Sequence, residues 1–413
     1  MNFKSWWKLF VLAIAMFALV AVVGCGEGEE EAPAEEAAVE EAPAEEAQVE
    51  EAPAEEAPVE ETAEPIILGV GGAHSGDLAP FGLPSINAAE LVAEKFNASG
   101  GVLGRDVVVL PEDDQCKPEI ATNVAYKLVD ENVNFVVGHI CSGATNAAMP
   151  IYTDNNIIVM SPSATNPPLT QSGDNPTFFR TIASDDIQAK LAVDFAVEAL
   201  GVTKVAILHD KGDYGKGFAE FAQTFLAEYP DVEEVLFEGI TPGGVDYSAV
   251  ILKVEQAGAD CVIFGGYHPE ASKLVQQMRE RGMETAFVSD DGVQGDAFIE
   301  VAGEFAEGVY ATGPKDFTSN AMYQAVTADH VAKYGEEPGM FFYEGYSAAL
   351  CLLSAMQSAG TTDSDAIMEK LRSEPVETPL GPIYFDEKGD AIGVGFSVYQ
   401  VQDGVYVELD YGK

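Results

Sequence analysis

Short apolar runs alternate with longer amphipathic segments over most of the chain. An apolar run at 66–70 precedes helical periodicity near 86–97, and a run at 107–110 precedes helical periodicity near 120–131. The same order restarts at 205–209 and continues through three further strand-like runs. This alternation predicts right-handed βαβ units and a parallel sheet, and its restart predicts a second parallel sheet. The roughly 350 residues after Pro65 exceed what one hydrophobic core usually holds, which also favours two domains.

The last part of the chain departs from this rhythm. Two long helical patterns, near 322–334 and 343–359, are followed by strand-like runs at 381–385 and 396–401. Strands that come after a pair of helices predict that the chain passes between the two domains more than once.

Polar and aromatic residues collect where the predicted strands end. Ligands of open parallel sheets bind beyond the carboxyl ends of the strands. Two such sheets that face each other would form a cleft lined by Ser75, Gly76, Ser142, Ser163 to Thr165, Asp213, Tyr214, Tyr267 and Asp291.

One of these strand ends has the chemistry of an anion site. The β-branched run at 135–138 leads into Cys141 and Ser142, and a helical pattern begins after Gly143. Unpaired backbone N–H groups and the positive end of the helix dipole lie at such a position. A Cys116–Cys141 disulfide would hold this site in place, and two buried thiols are the alternative.

The first 25 residues have the features of a targeting segment. Lys4 and Lys8 precede an apolar run at 9–23 that is too short to span a membrane comfortably. The run closes on Gly24-Cys25, which resembles a bacterial lipoprotein cleavage signal, so we expect Cys25 to become the lipidated N-terminus. An uncleaved signal anchor is the alternative.

Residues 26–64 repeat Glu, Ala, Pro and Val and contain no aromatic or basic residue. Such a segment cannot bury enough apolar surface to fold, and its like charges repel. It is predicted to be an extended, disordered tether, with an acidic partner-binding or metal-buffering tail as the alternative.

The whole chain has a formal net charge of −48. The part from Pro65 onward still has 52 acidic and 19 basic residues. This excess argues against nucleic acid and anionic lipid surfaces as partners. A saline habitat would explain this excess of acidic residues.

Motifs for catalysis are missing from the sequence. There is no nucleophile elbow, no P-loop and no His-Glu-x-x-His segment. His209 and His268 fit structural roles, and the acid pairs 113–114 and 290–291 have no third ligand beside them to complete a metal site. Cys261 and Cys351 lie in apolar patterns and are expected to be inert thiols. We therefore predict no enzyme activity, no cofactor and no metal.

From residue 66 to near its end, the chain resembles the periplasmic leucine/isoleucine/valine-binding protein family. These proteins are the branched-chain amino-acid receptors of ABC importers and have the type I periplasmic binding protein fold. The matching segments keep their order: HSGDLAPFG (74–82), GGVLG (100–104), DQC (114–116), VGHICS (137–142), SPSAT (161–165), HDKGDYG (209–215), GGYHPE (265–270) and GPIYFD (381–386).

The resemblance implies an α/β fold of two Rossmann-like lobes with parallel central sheets, joined by a three-stranded hinge. The implied N-terminal lobe comprises 65–182 and 314–392, and the implied C-terminal lobe comprises 183–313 and 393–413. It implies a monomer at the periplasmic or extracellular face of the bacterial cell envelope, with an ABC permease as its partner and a lipid anchor in the membrane.

The resemblance also assigns roles to individual residues. It places the ligand carboxylate on Ser142 and Thr165, near the backbone of Ser163 and Ala164, and the ligand ammonium on Asp291. It places the side-chain pocket among four aromatic residues: Phe81, Tyr214, Tyr267 and Phe342.

Two positions depart from the family pattern. Phe81 stands where the family usually has Tyr, and Asp291 stands where the family has Glu. Either change could alter the size of the site, so the resemblance implies an aliphatic (branched-chain) α-amino acid as ligand and leaves open which one. The alternatives are a receptor for short amides, urea or aromatic acids, and a ligand sensor with the same fold.

Overall fold

The structure is a computed structural model and describes residues 64–411. The expected signal segment 1–25 with its Cys25, and residues 26–63 of the expected tether, lie outside the described residues. Within 64–411, no helix combines the length and apolarity needed to cross a membrane.

Helices and strands alternate through both halves of the described chain. The strands are β1 (Ile66–Gly72), β2 (Val107–Asp113), β3 (Phe135–Val137), β4 (Ile158–Ser161), β5 (Phe178–Arg180), β6 (Lys204–His209), β7 (Glu233–Gly239), β8 (Cys261–Gly265), β9 (Ala286–Ser289), β10 (Tyr310–Pro314), β11 (Val376–Thr378), β12 (Gly381–Phe385), β13 (Ala391–Ile392), β14 (Phe396–Gln402) and β15 (Val405–Glu408). The α-helices are α1 (Ala79–Ala98), α2 (Pro118–Asp130), α3 (Ser142–Asp154), α4 (Pro168–Gln171), α5 (Asp185–Asp194), α6 (Asp213–Leu226), α7 (Ser248–Ala257), α8 (His268–Glu280), α9 (Asp296–Ala302), α10 (Ala321–Tyr334), α11 (Phe342–Ala359) and α12 (Ser364–Ser373). A π-helical turn (Phe195–Ala199) continues α5, and a 3₁₀ turn (Gly303–Ala306) follows α9.

Two parallel sheets organise these elements. The first has the order β2-β1-β3-β4-β5, with every neighbouring pair parallel. The second has the order β15-β14-β10-β9-β8-β6-β7, in which β14 and β15 are the antiparallel additions. A small antiparallel sheet contains β11, β12 and β13. The predicted α/β fold class with two parallel sheets is confirmed.

Each large sheet is buried on both faces, as parallel sheets require. In the first sheet, Phe135 and Val137 pack into a cluster with residues of α1 and α11, while Val136 between them packs toward α2 and α3. In the second sheet, Leu208 packs toward α7 and α8, and Ile207 packs toward α5 and α6. We call the first sheet with its helices the first lobe, and the second sheet with its helices the second lobe.

The chain passes between the two sheets three times within the described range. The connections follow β5 at 181–184, β10 at 315–320 and β13 at 393–395. We retain 65–182 with 314–392, and 183–313 with 393–413, as the proposed extents of the lobes.

Helix α1 begins at Ala79, seven residues before the start that its periodicity suggested. Pro80 lies in the first turn, where a missing N–H costs nothing, and Pro84 is tolerated further in. Gly82 is needed because a Cβ there would approach the carbonyl oxygen of Ala73 to 1.9 Å. The early start matters because it places Phe81 on a helix.

A fully buried arginine joins three segments of the first lobe. Arg180, the last residue of β5, donates from Nε to Asp390 Oδ1 at 2.5 Å. Its Nη1 donates to the carbonyl oxygens of residues 164, 165 and 166, the shortest being 2.7 Å to Thr165, and its Nη2 donates to Thr170 Oγ1 at 2.8 Å. A buried charge is stable only when it is paired and its donors are satisfied, and here both conditions hold.

We predict that Arg180→Met lowers the free energy of unfolding by about 3–5 kcal/mol, because the Asp390 carboxylate and the carbonyls of 164–166 lose their donor. Lys190→Met is the matched control, since Lys190 forms an exposed i,i+4 pair with Asp194 at 2.9 Å, and its loss should cost less than about 1 kcal/mol. Urea unfolding measures both. Equal, small losses in the two variants would contradict a structural role for Arg180.

Candidate functional site

The carboxyl ends of strands from both sheets converge on one region. In the first lobe these ends carry the turns after β1, β3 and β4, and in the second lobe they carry the turns after β6, β8 and β9. In a parallel sheet the loops that follow the strands all lie at the same edge, so residues far apart in sequence meet there.

On the first-lobe side, helix α3 begins at Ser142 with Cys141 as its N-cap. The first hydrogen bond of the helix runs from Thr145 N–H to Cys141 O at 2.9 Å. The N–H groups of Ser142, Gly143 and Ala144 precede this bond, so they are the donors that a helix start leaves for an anion.

The serine hydroxyls in this corner already have neighbours. Ser142 Oγ accepts from Asn166 N–H at 3.2 Å, which leaves its own O–H free to donate. Ser163 Oγ donates to Ile140 O at 2.8 Å, and Ala164 N–H donates to Ser161 Oγ at 2.9 Å. Of these groups, only the Ser142 O–H remains a donor for a ligand carboxylate. Thr165 is fully buried beside them.

The corner is supported from behind by a buried network that sequence reasoning missed. A disulfide joins Cys116 to Cys141, the expected pair. Asp114 Oδ1 accepts from Cys116 N–H at 2.6 Å, and Asp114 Oδ2 lies 2.5 Å from His139 Nδ1. His139 Nε2 lies 3.0 Å from the Tyr152 hydroxyl. The signal available in the sequence was the position of Asp114 and His139 two residues before each bridged cysteine.

On the second-lobe side, Asp291 follows β9 and is 2% exposed. Its Oδ1 accepts from the Tyr214 hydroxyl, which in turn accepts from Gly292 N–H at 3.0 Å. Its Oδ2 is buried without any hydrogen-bond partner among the described residues. Burial raises the pKa of Asp291 to about 6, against the lowering effect of the Tyr214 hydrogen bond.

Further carboxyl groups are buried around Asp291. Asp290 Oδ2 accepts from Gly266 N–H at 2.9 Å. With its amide oriented to satisfy its neighbours, Gln188 donates to Asp185 Oδ1 at 2.8 Å and accepts from Asp291 N–H at 3.0 Å. Burial, followed by repulsion from Asp291, raises the pKa of both Asp185 and Asp290 well above the ordinary value. The second-lobe wall therefore holds three buried carboxyl groups, of which Asp185 and Asp290 keep a proton more readily than an exposed carboxyl does.

Aromatic rings form the remaining walls and touch across the two lobes. The rings of Tyr214 and Tyr267 lie 5.0 Å apart, and the Tyr267 hydroxyl lies 3.8 Å from Cys116 Sγ in the first lobe. Phe81 packs edge-on against His268 of the second lobe at 5.2 Å, and burial lowers the pKa of His268 to about 4. His268 is thus neutral and serves as packing.

Polar contacts also cross between the lobes. Asn146 Nδ2 donates to Asp213 Oδ2 at 3.1 Å, and Asn166 Nδ2 donates to the carbonyl oxygen of Asp213 at 2.5 Å. Together with the aromatic contacts, these bonds show that the lobes are closed on each other.

Between the walls lies a central space of only about 10 Å³. Of the nine residues predicted to bind ligand, Phe81, Ser163, Tyr214, Tyr267 and Asp291 line it, together with Ile140, Cys141, Gly292 and Phe341. Ser142, Ala164 and Thr165 are buried in the adjoining first-lobe corner. Larger cavities of about 540 and 670 Å³ adjoin the central space; one shares Cys141, Tyr214 and Tyr267 with it, and the other shares Phe81 and Phe341.

The placement of Phe342 in the site was wrong. Its ring packs against His330 at 4.7 Å, inside the core of the first lobe. Phe341 takes the wall position instead and contacts Phe81 edge-on at 5.6 Å. The reason is the backbone at Phe341, whose φ of +63° just before α11 turns the two neighbouring side chains to different sides.

No cluster of three or more His, Cys, Asp or Glu side chains suited to a metal ion occurs in the described part of the chain. Cys261 and Cys351 are free thiols and are buried within the lobes. What the site offers is a buried carboxylate on one lobe, a helix N-terminus on the other, and aromatic walls between them.

Comparison with known proteins finds relatives that match most of the chain. The family described as "Periplasmic binding protein" matches residues 65–405. The leucine-, isoleucine-, valine-, threonine- and alanine-binding protein of Pseudomonas aeruginosa is 36% identical over 338 residues, which are 82% of this chain and 90% of that protein. The Leu/Ile/Val-binding protein of Escherichia coli K12 is 34% identical over 337 residues, covering 82% and 91% of the two chains.

A solved structure shares the fold over the same range. The branched-chain amino acid transporter substrate binding protein of Streptococcus pneumoniae, in complex with isoleucine, superposes with a TM-score of 0.73 at 28% identity, covering 84% of this chain and all of that one. Given these matches and the extent of the family alignment, the chain belongs to the branched-chain amino-acid periplasmic binding protein family.

Proposed function

We propose that this protein binds an aliphatic α-amino acid between its lobes and delivers it to the membrane permease of an ABC importer. The proposal rests on two groups on opposite walls of the cleft, one that suits a cation and one that suits an anion. Asp291 Oδ2 is buried and unpartnered on one wall, and the N-terminus of α3 lies on the other. A zwitterion with its ammonium toward Asp291 and its carboxylate toward α3 satisfies both ends.

Each end of the ligand has suitable partners. The carboxylate would accept from the Ser142 O–H, from Thr165 and from the free N–H groups of α3. The ammonium would donate to Asp291 Oδ2 and to the oxygen of Ser163, whose own proton is already used on Ile140 O. An aliphatic side chain would lie against Phe81, Tyr214, Tyr267 and the disulfide.

Delivery follows from the closing of the lobes. A central space of about 10 Å³ is too small for an amino acid, so the ligand must enter while the lobes are apart, and the lobes that enclose it must leave a wider gap than they do here. The closed pair of lobes then presents a surface that a permease can distinguish from the open one. We therefore propose that the protein is a solute receptor rather than an enzyme.

We predict that binding requires both charged ends of the ligand. Leucinamide and 3-methylbutylamine lack the carboxylate, and 4-methylpentanoate lacks the ammonium. Each should bind at least about 100-fold more weakly than leucine, because two charge-assisted hydrogen bonds are lost. Calorimetry checks this, after a thermal-shift screen has identified the preferred amino acid.

Single substitutions in the protein test recognition of the ligand's ammonium separately from recognition of its carboxylate. Asp291→Asn should weaken leucine binding by about 2–5 kcal/mol and leave 4-methylpentanoate nearly unaffected. Asp365→Asn, an exposed position on α12, is the matched control and should change neither. A preference for a short amide, urea or an aromatic acid without an amine would refute the amino-acid assignment.

We predict that ligand binding releases a proton near pH 6. In the closed lobes, desolvation raises the pKa of Asp291 to about 6, so at pH 6 about half of the unliganded closed form carries a proton there, and an ammonium favours the ionised form. Affinity should be constant above about pH 7 and fall toward tenfold per pH unit below pH 6. Calorimetry in two buffers of different ionisation enthalpy measures the release, and heats independent of buffer at pH 6 would speak against it.

We also propose that the protein is a lipoprotein attached through Cys25, at the outer face of a bacterial membrane. The support is the short apolar run that ends in Gly24-Cys25. Mass spectrometry of membrane-extracted protein should find a diacylglycerol-modified Cys25 as the first residue. A mature protein that begins at Met1 would disprove the anchor and leave the binding proposal intact.

A further inference from the structure

A second cavity between the lobes has a chemistry that amino-acid binding does not use. It has a volume of about 670 Å³ and lies against the connection after β10, with walls from both lobes. We call it the hinge cavity. The Phe81–Phe341 pair belongs both to its wall and to that of the central space, so these two rings separate the two spaces.

We propose that the hinge cavity binds an organic ammonium cation, independently of the amino acid in the central site. The first reason is the charge of its wall. The lining of the cavity contains five acidic residues and one lysine, Lys315. The acidic residues are Asp296, Glu300, Asp316, Glu344 and Glu408. A wall of this sign excludes anions and raises the local concentration of cations.

The second reason is Glu344, in the first turn of α11. This residue is only 5% exposed, its carboxyl accepts from its own backbone N–H, and no ion pair joins it to a lysine, arginine or histidine of the described residues. Burial raises its pKa to about 7, so the group is largely ionised at pH 8. A buried carboxylate without an opposite charge beside it is costly, and a cation in the cavity would supply that charge.

The third reason is the aromatic character of the wall. The hydroxyls of three lining tyrosines are already engaged: Tyr343 with Thr327 Oγ1 at 2.6 Å, Tyr399 with Pro314 O, and Tyr406 with Val293 O at 2.9 Å. Tyr323 stacks on Tyr343 at 3.7 Å. With their hydroxyls engaged, Tyr343, Tyr399 and Tyr406 offer mainly ring carbon to the cavity, which suits a cation with apolar substituents.

The carboxyl groups are also too dispersed for a bare metal ion. No three of the described His, Cys, Asp and Glu side chains converge as metal ligands. An organic cation, which spreads its charge over a larger volume, matches both the dispersed acids and the rings.

Calorimetry with choline tests the proposal, at pH 8 and constant ionic strength. We expect saturable binding of one choline, and none of 3,3-dimethyl-1-butanol, its uncharged isostere. Glu344→Gln should weaken choline binding at least about tenfold, because the buried charge is removed. Glu369→Gln, an exposed change on α12, should leave it unaltered.

Two further measurements locate the binding. Choline should bind equally to the Asp291→Asn variant, and leucine at saturation should not displace it. Glu344→Gln should keep leucine affinity within about threefold of the original protein. Absence of saturable choline binding, equal binding of the uncharged isostere, or displacement of choline by leucine would each overturn the proposal, whatever the outcome for the amino acid.

Discussion

The buried pairing of Arg180 with Asp390 is the interaction on which the arrangement of the first lobe and its wall of the cleft depends. Arg180 ends β5, immediately before the first connection between lobes, and Asp390 lies just before the third. The same guanidinium holds the carbonyl oxygens of 164–166. Because these partners come from separate segments, the charge is satisfied only when all of them are in place. One side chain thus fixes the site corner relative to two of the three connections.

The sequence allowed the fold to be predicted because parallel sheets leave a strong periodic signal. Buried strands such as β3 and β8 are uninterrupted apolar runs, and the helices between them are long enough to be recognised. Two of the elements that were missed carry weak signals: β10 ends in Gly313-Pro314, and only half of the residues of α5 are apolar. Both lead into or out of a connection, where tertiary contacts rather than local pattern determine the structure.

The candidate site was predictable to the extent that it lies at strand ends. Tyr214, Tyr267 and Asp291 line the central space because each follows a strand of the second sheet. The assignment of Phe342 instead of Phe341 failed because two adjacent phenylalanines are equivalent in any pattern, and the sign of one φ angle decides between them. The Asp114–His139–Tyr152 network was missed since its members meet only in three dimensions.

The near absence of free volume at the centre of the cleft has a kinetic consequence. The lobes are in contact through Phe81 and His268, and through Asn166 and Asp213, so these contacts must separate before the lobes can open around a solute in the centre. The residence time of a ligand then depends on the opening rate of the lobes as well as on the strength of its individual contacts. Changes at the three connections would therefore alter association and dissociation together, whereas changes in the pocket wall would act on dissociation alone.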